Sequence, residues 1–201
     1  ACLEMIKSGT TCFNDMYFYS EQIAKAAKDT GMRAVISEAI IDVFKSEMIT
    51  STEQGIMQKV ESLKDFGELI TPALAPHSVY TVSLEKLRWI AKYSAKNDLL
   101  VHTHLSETEF ENSECIKNNG ITPTRLLDDV GLLNPRLLAA HSVWISKEDA
   151  ELMSQRHVKI VHNPIANMKL SVGNAFNYKM LSQSGCHISL GTDGAASNNN
   201  L

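Results

Sequence analysis

Seven short apolar segments, each followed by a polar stretch of helical period, constrain this chain more than any other feature. They are "GTTCFNDM" (9–16), "MRAVISEA" (32–39), "LITPALAPH" (69–77), "LLVHTHLS" (99–106), "RLLAAHSV" (136–143), "VKIVHNP" (158–164) and "CHISLGTD" (186–193). Each has the length and makeup of a buried strand. Helix signals fill the gaps: Ser20 opens a helix that Gly31 closes, and Ile56, Val60 and Leu63 recur at helical spacing within 53–66. Leu84, Leu87, Ile90 and Ala91 do the same after Ser83, and residues 108–119 form a helix ending at Gly120. Thr122 with Pro123 starts a helix that stops at Gly131, Ser146 with Asp149 resembles a capping box, and "NAFNYKMLSQSG" closes on Gly185.

Strands alternating with helices imply right-handed βαβ units and a parallel sheet, either an open doubly wound sheet or a closed barrel. No G-x-G-x-x-G or G-x-x-x-x-G-K loop follows the first strand, which disfavours the nucleotide-binding open sheet. The expectation is an α/β chain, an incomplete (β/α)8 TIM barrel of about seven βα units over residues 1–201. A full barrel takes about 250 residues, and the chain starts on Ala1 and ends on a polar run, "SNNNL", preceded by Ala196. It is read as an internal piece of something longer.

A hydrophobic share of 44% is enough for a sizeable core. A net charge of -4 without a Lys/Arg cluster argues against nucleic acid as a partner. The absence of a long apolar run or a signal-like start leads to the expectation of a cytoplasmic chain with no membrane contact. The four scattered cysteines, Cys2, Cys12, Cys115 and Cys186, are read as reduced, small buried residues.

Five consecutive strands end in a residue that can bind a metal or move a proton: His77, His104, His141, His162 and Asp193. In a parallel barrel these ends share one face, where active sites are built. Packing alone does not call for buried polar groups in register there. His102 and His104 point to the same side, with His104 nearer the mouth and His102 a structural residue one layer down. Glu107, just past the strand end, stands beside whatever His104 holds. The chemistry that uses such a set is metal-assisted hydrolysis, in which a divalent metal lowers the pKa of a bound water from about 15.7 to near 7. A neighbouring carboxylate then carries the proton to the leaving group. Read as plain helix signals instead, Glu107, Glu109 and Glu111 are acids favouring the dipole of a helix start.

These segments resemble the amidohydrolase superfamily, and within it the 5-methylthioadenosine/S-adenosylhomocysteine deaminase branch, whose relatives include s-triazine chlorohydrolases and guanine deaminases. The resemblance runs through "SGTTCFNDMYF", "GMRAV", "APHSVYT", "HTHLSET", "AAHSVWI", "HNPIANMKLSVG" and "LGTDGAASNNNL". It implies a hydrolytic deaminase of adenosine-type nucleosides, with His104 and Asp193 as metal ligands and Glu107 as proton shuttle. His141 would orient the hydrolytic water, with Asp193 accepting a hydrogen bond from it. His77, Glu107 and Ser197 would touch the substrate, and His162 would support the site from behind. One divalent metal is implied, zinc first and iron or manganese as alternatives, because no lysine ends the "LITPALAPH" strand to bridge a second. The cysteine spacing excludes the cytidine-deaminase type of zinc site.

The family completes its metal site with an H-x-H pair in a first strand upstream of this sequence, and it adds a β-sandwich built from both ends. The chain by itself is therefore expected to bind zinc poorly and to be inactive. Glu38 near its strand end, with Lys45 as the one cation of that stretch, argues against the carboxylate of S-adenosylhomocysteine. A neutral thioether or another adenosine derivative remains. The alternatives are a guanine deaminase, a triazine chlorohydrolase, a silent fragment that associates through open strand edges into a homo-oligomer, and a metal-free barrel isomerase or aldolase.

Overall fold

The structure, a computed structural model, describes residues 1–43, 52–194 and 197. Lys45 and the terminal polar run other than Ser197 lie outside the described residues. Seven strands alternate with helices: β1 Cys12–Tyr17, β2 Arg33–Ile40, β3 Ile70–Pro76, β4 Leu100–Leu105, β5 Leu137–His141, β6 Lys159–His162 and β7 His187–Leu190. The helices are α1 Cys2–Lys7, α2 Ser20–Thr30, α3 Glu53–Lys64, α4 Leu84–Asn97, α5 Glu109–Asn119, α6 Pro123–Asp129, α7 Lys147–Gln155, α8 Pro164–Lys169 and α9 Tyr178–Gln183. Every neighbouring strand pair is parallel, and the spatial order is the chain order, β1 to β7. This is the incomplete (β/α)8 architecture expected, with β1 and β7 at the two ends of the order.

Strand alternation sorts side chains to the two faces. Leu74, Val101 and Leu137 follow one another in register, with Ile160 opposite Ala139. All are fully buried beneath Leu87 and Ile90 of α4, Leu127 of α6 and Met153 of α7. Burying each such side chain is worth roughly 1.5–3 kcal/mol. A second cluster joins Ala24 and Ala27 of α2, Leu63 of α3 and Ala34, Ile36 and Ile70 of the strands. The opposite, inner face carries the polar residues. The Asn14 amide of β1 lies 2.8 Å from Nδ1 of His102 on β4. These strands stand three apart, about 14 Å in a flat sheet, so the sheet curls until its inner residues meet across a shared interior.

Helix starts follow local chemistry. Thr52, Ser83, Thr108, Thr122 and Ser146 each accept a backbone N–H from the third residue on, satisfying a donor the helix leaves orphaned. α2 opens at Ser20 and closes at Gly31 as expected, with Tyr19 at φ 60° in the cap position and the Ser20 hydroxyl donating to Glu38 at 2.7 Å. α1 and α8 were not expected from the sequence; at six residues each, they are too short to show a period. All four cysteines are free, but only Cys115 is buried and Cys12 is exposed, because Cys12 begins an end strand. Among the described residues no helix is long and apolar enough to cross a membrane.

Candidate metal centre and active site

Three of the strand-end residues meet. The ligand atoms of His104, His141 and Asp193 all lie within 4.8 Å of one another. Each arrives there for a different local reason. His104 is reached by simple alternation, two residues above His102 on the inner face of β4. Its Nδ1 donates to the carbonyl of His77 at 2.9 Å, which leaves Nε2 with a free lone pair.

His141 is not reached by alternation. It pairs with Leu105, a fully buried core residue, so an undistorted strand would turn its side chain towards the helices. Instead His141 has φ 70° and Ser142 φ 50°, and Ser142 N–H donates back to Ala140 O at 3.1 Å, closing a γ-turn centred on the histidine. Non-glycine residues in this region cost on the order of 1 kcal/mol or more each. The turn is held by Ser142 N–H to Leu105 O at 2.9 Å and by Val143 and Trp144 N–H to Ser106 O at 3.0 and 2.8 Å. His141 is 1% exposed, and its Nδ1 donates to Asn167 Oδ1 at 2.8 Å.

Asp193 follows β7 at φ 65°. Gly191, two residues earlier, is needed for space: a Cβ there would stand 2.5 Å from Asn163 Oδ1 and 2.8 Å from Val161 Cγ1. Gly191→Ala should push the strand end outward and carry Asp193 away from the two imidazoles. Metal affinity is expected to fall about tenfold or more, the scale of a lost supporting contact, as read by metal titration. Unchanged affinity would show that this close approach does not set the position of Asp193.

Burial holds His77, His102 and His104 neutral. Buried position, then the charges of His77, His141 and His102, keep His104 well below the usual histidine range. Burial with His141 nearby lowers His77 and takes His102 down to about 4. Two imidazoles whose Nδ1 atoms are already engaged, beside a carboxylate, are a fitting donor set for a divalent metal. Ligand atoms around one tetrahedral zinc lie about 3.4 Å apart, so the three need close only slightly around an ion. The sequence reading set His141 apart from the ligands, yet the fold brings it into the same group.

Glu107 stands beside them, its Oε2 3.7 Å from His141 Nε2. Burial raises its carboxyl above the ordinary range, His141 opposes this, and Asp193 adds to it. The His77 ring lies 4.7 Å from that of His104, and its Nδ1 contacts the Thr81 hydroxyl at 3.0 Å. His102 is occupied by Asn14. His162 stacks on Phe176 at 3.9 Å and reaches His141 only through Asn167, whose amide nitrogen lies 3.4 Å from His162 Nδ1. Ser197 sits in the turn after Asp193, its N–H donating to Gly194 O at 2.9 Å.

Two residues take places the sequence did not reveal. Glu38 does not face the mouth: it receives the Ser20 hydroxyl and pairs with Lys59 of α3 at 3.4 Å, among Ile56, Val60 and Leu63 on the helix side. Asn167, which ties His141 to His162, was missed; "HNPIANMKLSVG" contained it, but only the turn of α8 returns it to His141.

The amidohydrolase family is matched over residues 1–201. A 5'-deoxyadenosine deaminase of Methanospirillum hungatei JF-1 is 47% identical over all of this chain and 45% of its own length. A 5-methylthioadenosine/S-adenosylhomocysteine deaminase of Thermodesulfovibrio yellowstonii is 45% identical over all of this chain and 46% of its own length. The chain thus spans about half the length of the curated relatives it matches. Among solved structures, a zinc-bound adenosine deaminase from Xanthomonas campestris superposes with TM-score 0.89 at 34% identity, over 98% of this chain and 45% of that one. A guanine deaminase from C. acetobutylicum superposes with TM-score 0.85 at 25% identity, over 98% and 49%.

Proposed function

Because the chain belongs to the amidohydrolase family, we propose that it forms the larger part of the barrel of a metal-dependent deaminase acting on 5'-substituted adenosines. The observation that carries this reading is the convergence of His104, His141 and Asp193 beside the Glu107 carboxylate. The names of the relatives at 45–47% identity support the substrate class. On this reading the chain is an internal part of a longer polypeptide, and a strand and terminal segments outside it complete the barrel.

His104 and Asp193 would hold one divalent metal, zinc first by its liking for imidazole and carboxylate and iron or manganese as alternatives. When bound, such a metal lowers the pKa of a coordinated water towards about 7. His141 presents Nε2, fixed by the Asn167 contact, to orient the attacking water. Glu107, facing it, takes the water's proton and returns it to the departing nitrogen. Water adds at the amine-bearing carbon of the purine, the carbon–nitrogen bond breaks, and ammonia leaves with an inosine-type product. His77 contacts the base or ribose, Ser197 lines the mouth after Asp193, and His162 steadies His141 through Asn167. The stretch 37–54 holds no arginine for a substrate carboxylate, so the reading favours a neutral 5'-substituent.

The test is ammonia release by the protein, at the full length its gene encodes, with 5'-deoxyadenosine, methylthioadenosine, S-adenosylhomocysteine, guanine and a chlorinated triazine. Turnover of the first two or three with little on the rest is expected. Ammonia from guanine alone, or chloride from the triazine, would replace the substrate assignment.

A further inference from the structure

The geometry points to Glu111 as a positioning residue: from α5 it grips the backbone N–H groups of Ser106 and Glu107 and so fixes where the proton-carrying carboxylate stands. This rests on the reading of Glu107 given above.

Glu111 is 1% exposed. Its Oε1 accepts the Ser106 N–H at 2.9 Å and its Oε2 the Glu107 N–H at 2.9 Å. The sequence Thr108-x-x-Glu111 has the form of a capping box, and half of the box is made, since Thr108 Oγ1 accepts the Glu111 N–H at 3.2 Å. In an ordinary box the carboxylate returns to the N–H of the cap residue itself. Here it passes Thr108 and takes the two residues before it. Those two form the bend at the mouth of β4, where Ser106 holds φ 49°.

The same bend is tied to the neighbouring strand. Ser106 O accepts from Val143 and Trp144 N–H, the residues just after the turn that swings His141 inward. Glu111 thus closes the frame that sets Glu107 Oε2 3.7 Å from His141 Nε2. The arrangement works against stability in one respect. Burial drives the Glu111 carboxyl up to about 7 even though both amides favour its charge, and among the described residues no ion pair to it occurs. A plain helix start needs no buried carboxylate, because Thr108 already caps α5. Groups kept at such cost cluster at sites of function.

The test compares wild type, Glu111→Gln, Glu107→Gln and the double variant, each at the full length the gene encodes. Glu111→Gln keeps the volume but turns one acceptor into an NH2 facing a backbone N–H. kcat should fall about 10- to 100-fold, as displacement of a reacting group does, with KM within about twofold and metal content unchanged. In the Glu107→Gln background the same change should cost little more, because the group it positions is already disabled. Amide exchange at Ser106 and Glu107, read by NMR, should accelerate in Glu111→Gln and in the shorter Glu111→Asp, which keeps the charge. An equal further loss of kcat in the double variant, or unchanged exchange at both amides, overturns the assignment. If Glu107→Gln alone retains full kcat, the proton-carrier reading fails, and the exchange rates then decide whether Glu111 holds the bend.

Discussion

In a His104→Ala variant, bound divalent metal is expected to fall below stoichiometric and kcat to fall by on the order of 10³-fold or more. The argument starts from the imidazole. Its Nδ1 is committed to the His77 carbonyl at 2.9 Å, so Nε2 is the free atom facing His141 and Asp193. Removing it leaves an incomplete donor set. Loss of a group that merely supports a ligand weakens metal binding about 10- to 100-fold, and loss of the ligand itself should exceed that. The metal supplies several kcal/mol of charge stabilisation to the reaction, which is where the expected fall in kcat comes from. His102→Ala is the control, two residues away on the same face but engaged by Asn14. It should keep its metal. Metal analysis of the purified variants checks both, and full metal content in His104→Ala would remove that residue from the ligand set.

Glu107→Gln should leave metal content and KM almost unchanged while lowering kcat about 10²- to 10⁴-fold, the range of positioned proton transfer. Glutamine matches the carboxylate in size and can stand in the same place, 3.7 Å from His141 Nε2, but it takes up no proton from the attacking water. The carboxylate lies beside the three converging groups, partly buried, with its carboxyl raised above the usual range chiefly by that burial. A variant that turns over at the wild-type rate would assign the proton to another residue. A variant that loses metal as well would make Glu107 a ligand.

Much of the architecture was legible because it depends on short-range pattern. The apolar segments around Leu74, Val101, Leu137 and Ile160 lie where strands formed, since a buried parallel strand needs a continuous apolar run and little else. Ser83, Thr122 and Ser146 marked helix starts because their oxygens reach the third N–H within one turn. Ser20 likewise opened α2, although its hydroxyl is taken by Glu38 of β2 and does not cap the helix. That Glu38 lies near its strand end was legible, but the face its side chain takes was not. Glu111 was legible as a first-turn acid, and its reach past Thr108 was not.

The sequence by itself determined that the chain would alternate strand and helix in parallel, and that His77, His104, His141, His162 and Asp193 would sit at strand ends. Both follow from periodicity and chain direction, which are properties of neighbours a few residues apart. Only the tertiary structure decided which of them meet. The curl that brings β1 to β4 and β7 to β4, and the γ-turn that swings His141 off the face its register assigns, depend on hydrogen bonds between residues far apart in sequence. Such contacts leave no trace in local composition, because their geometry exists only once the sheet has curled.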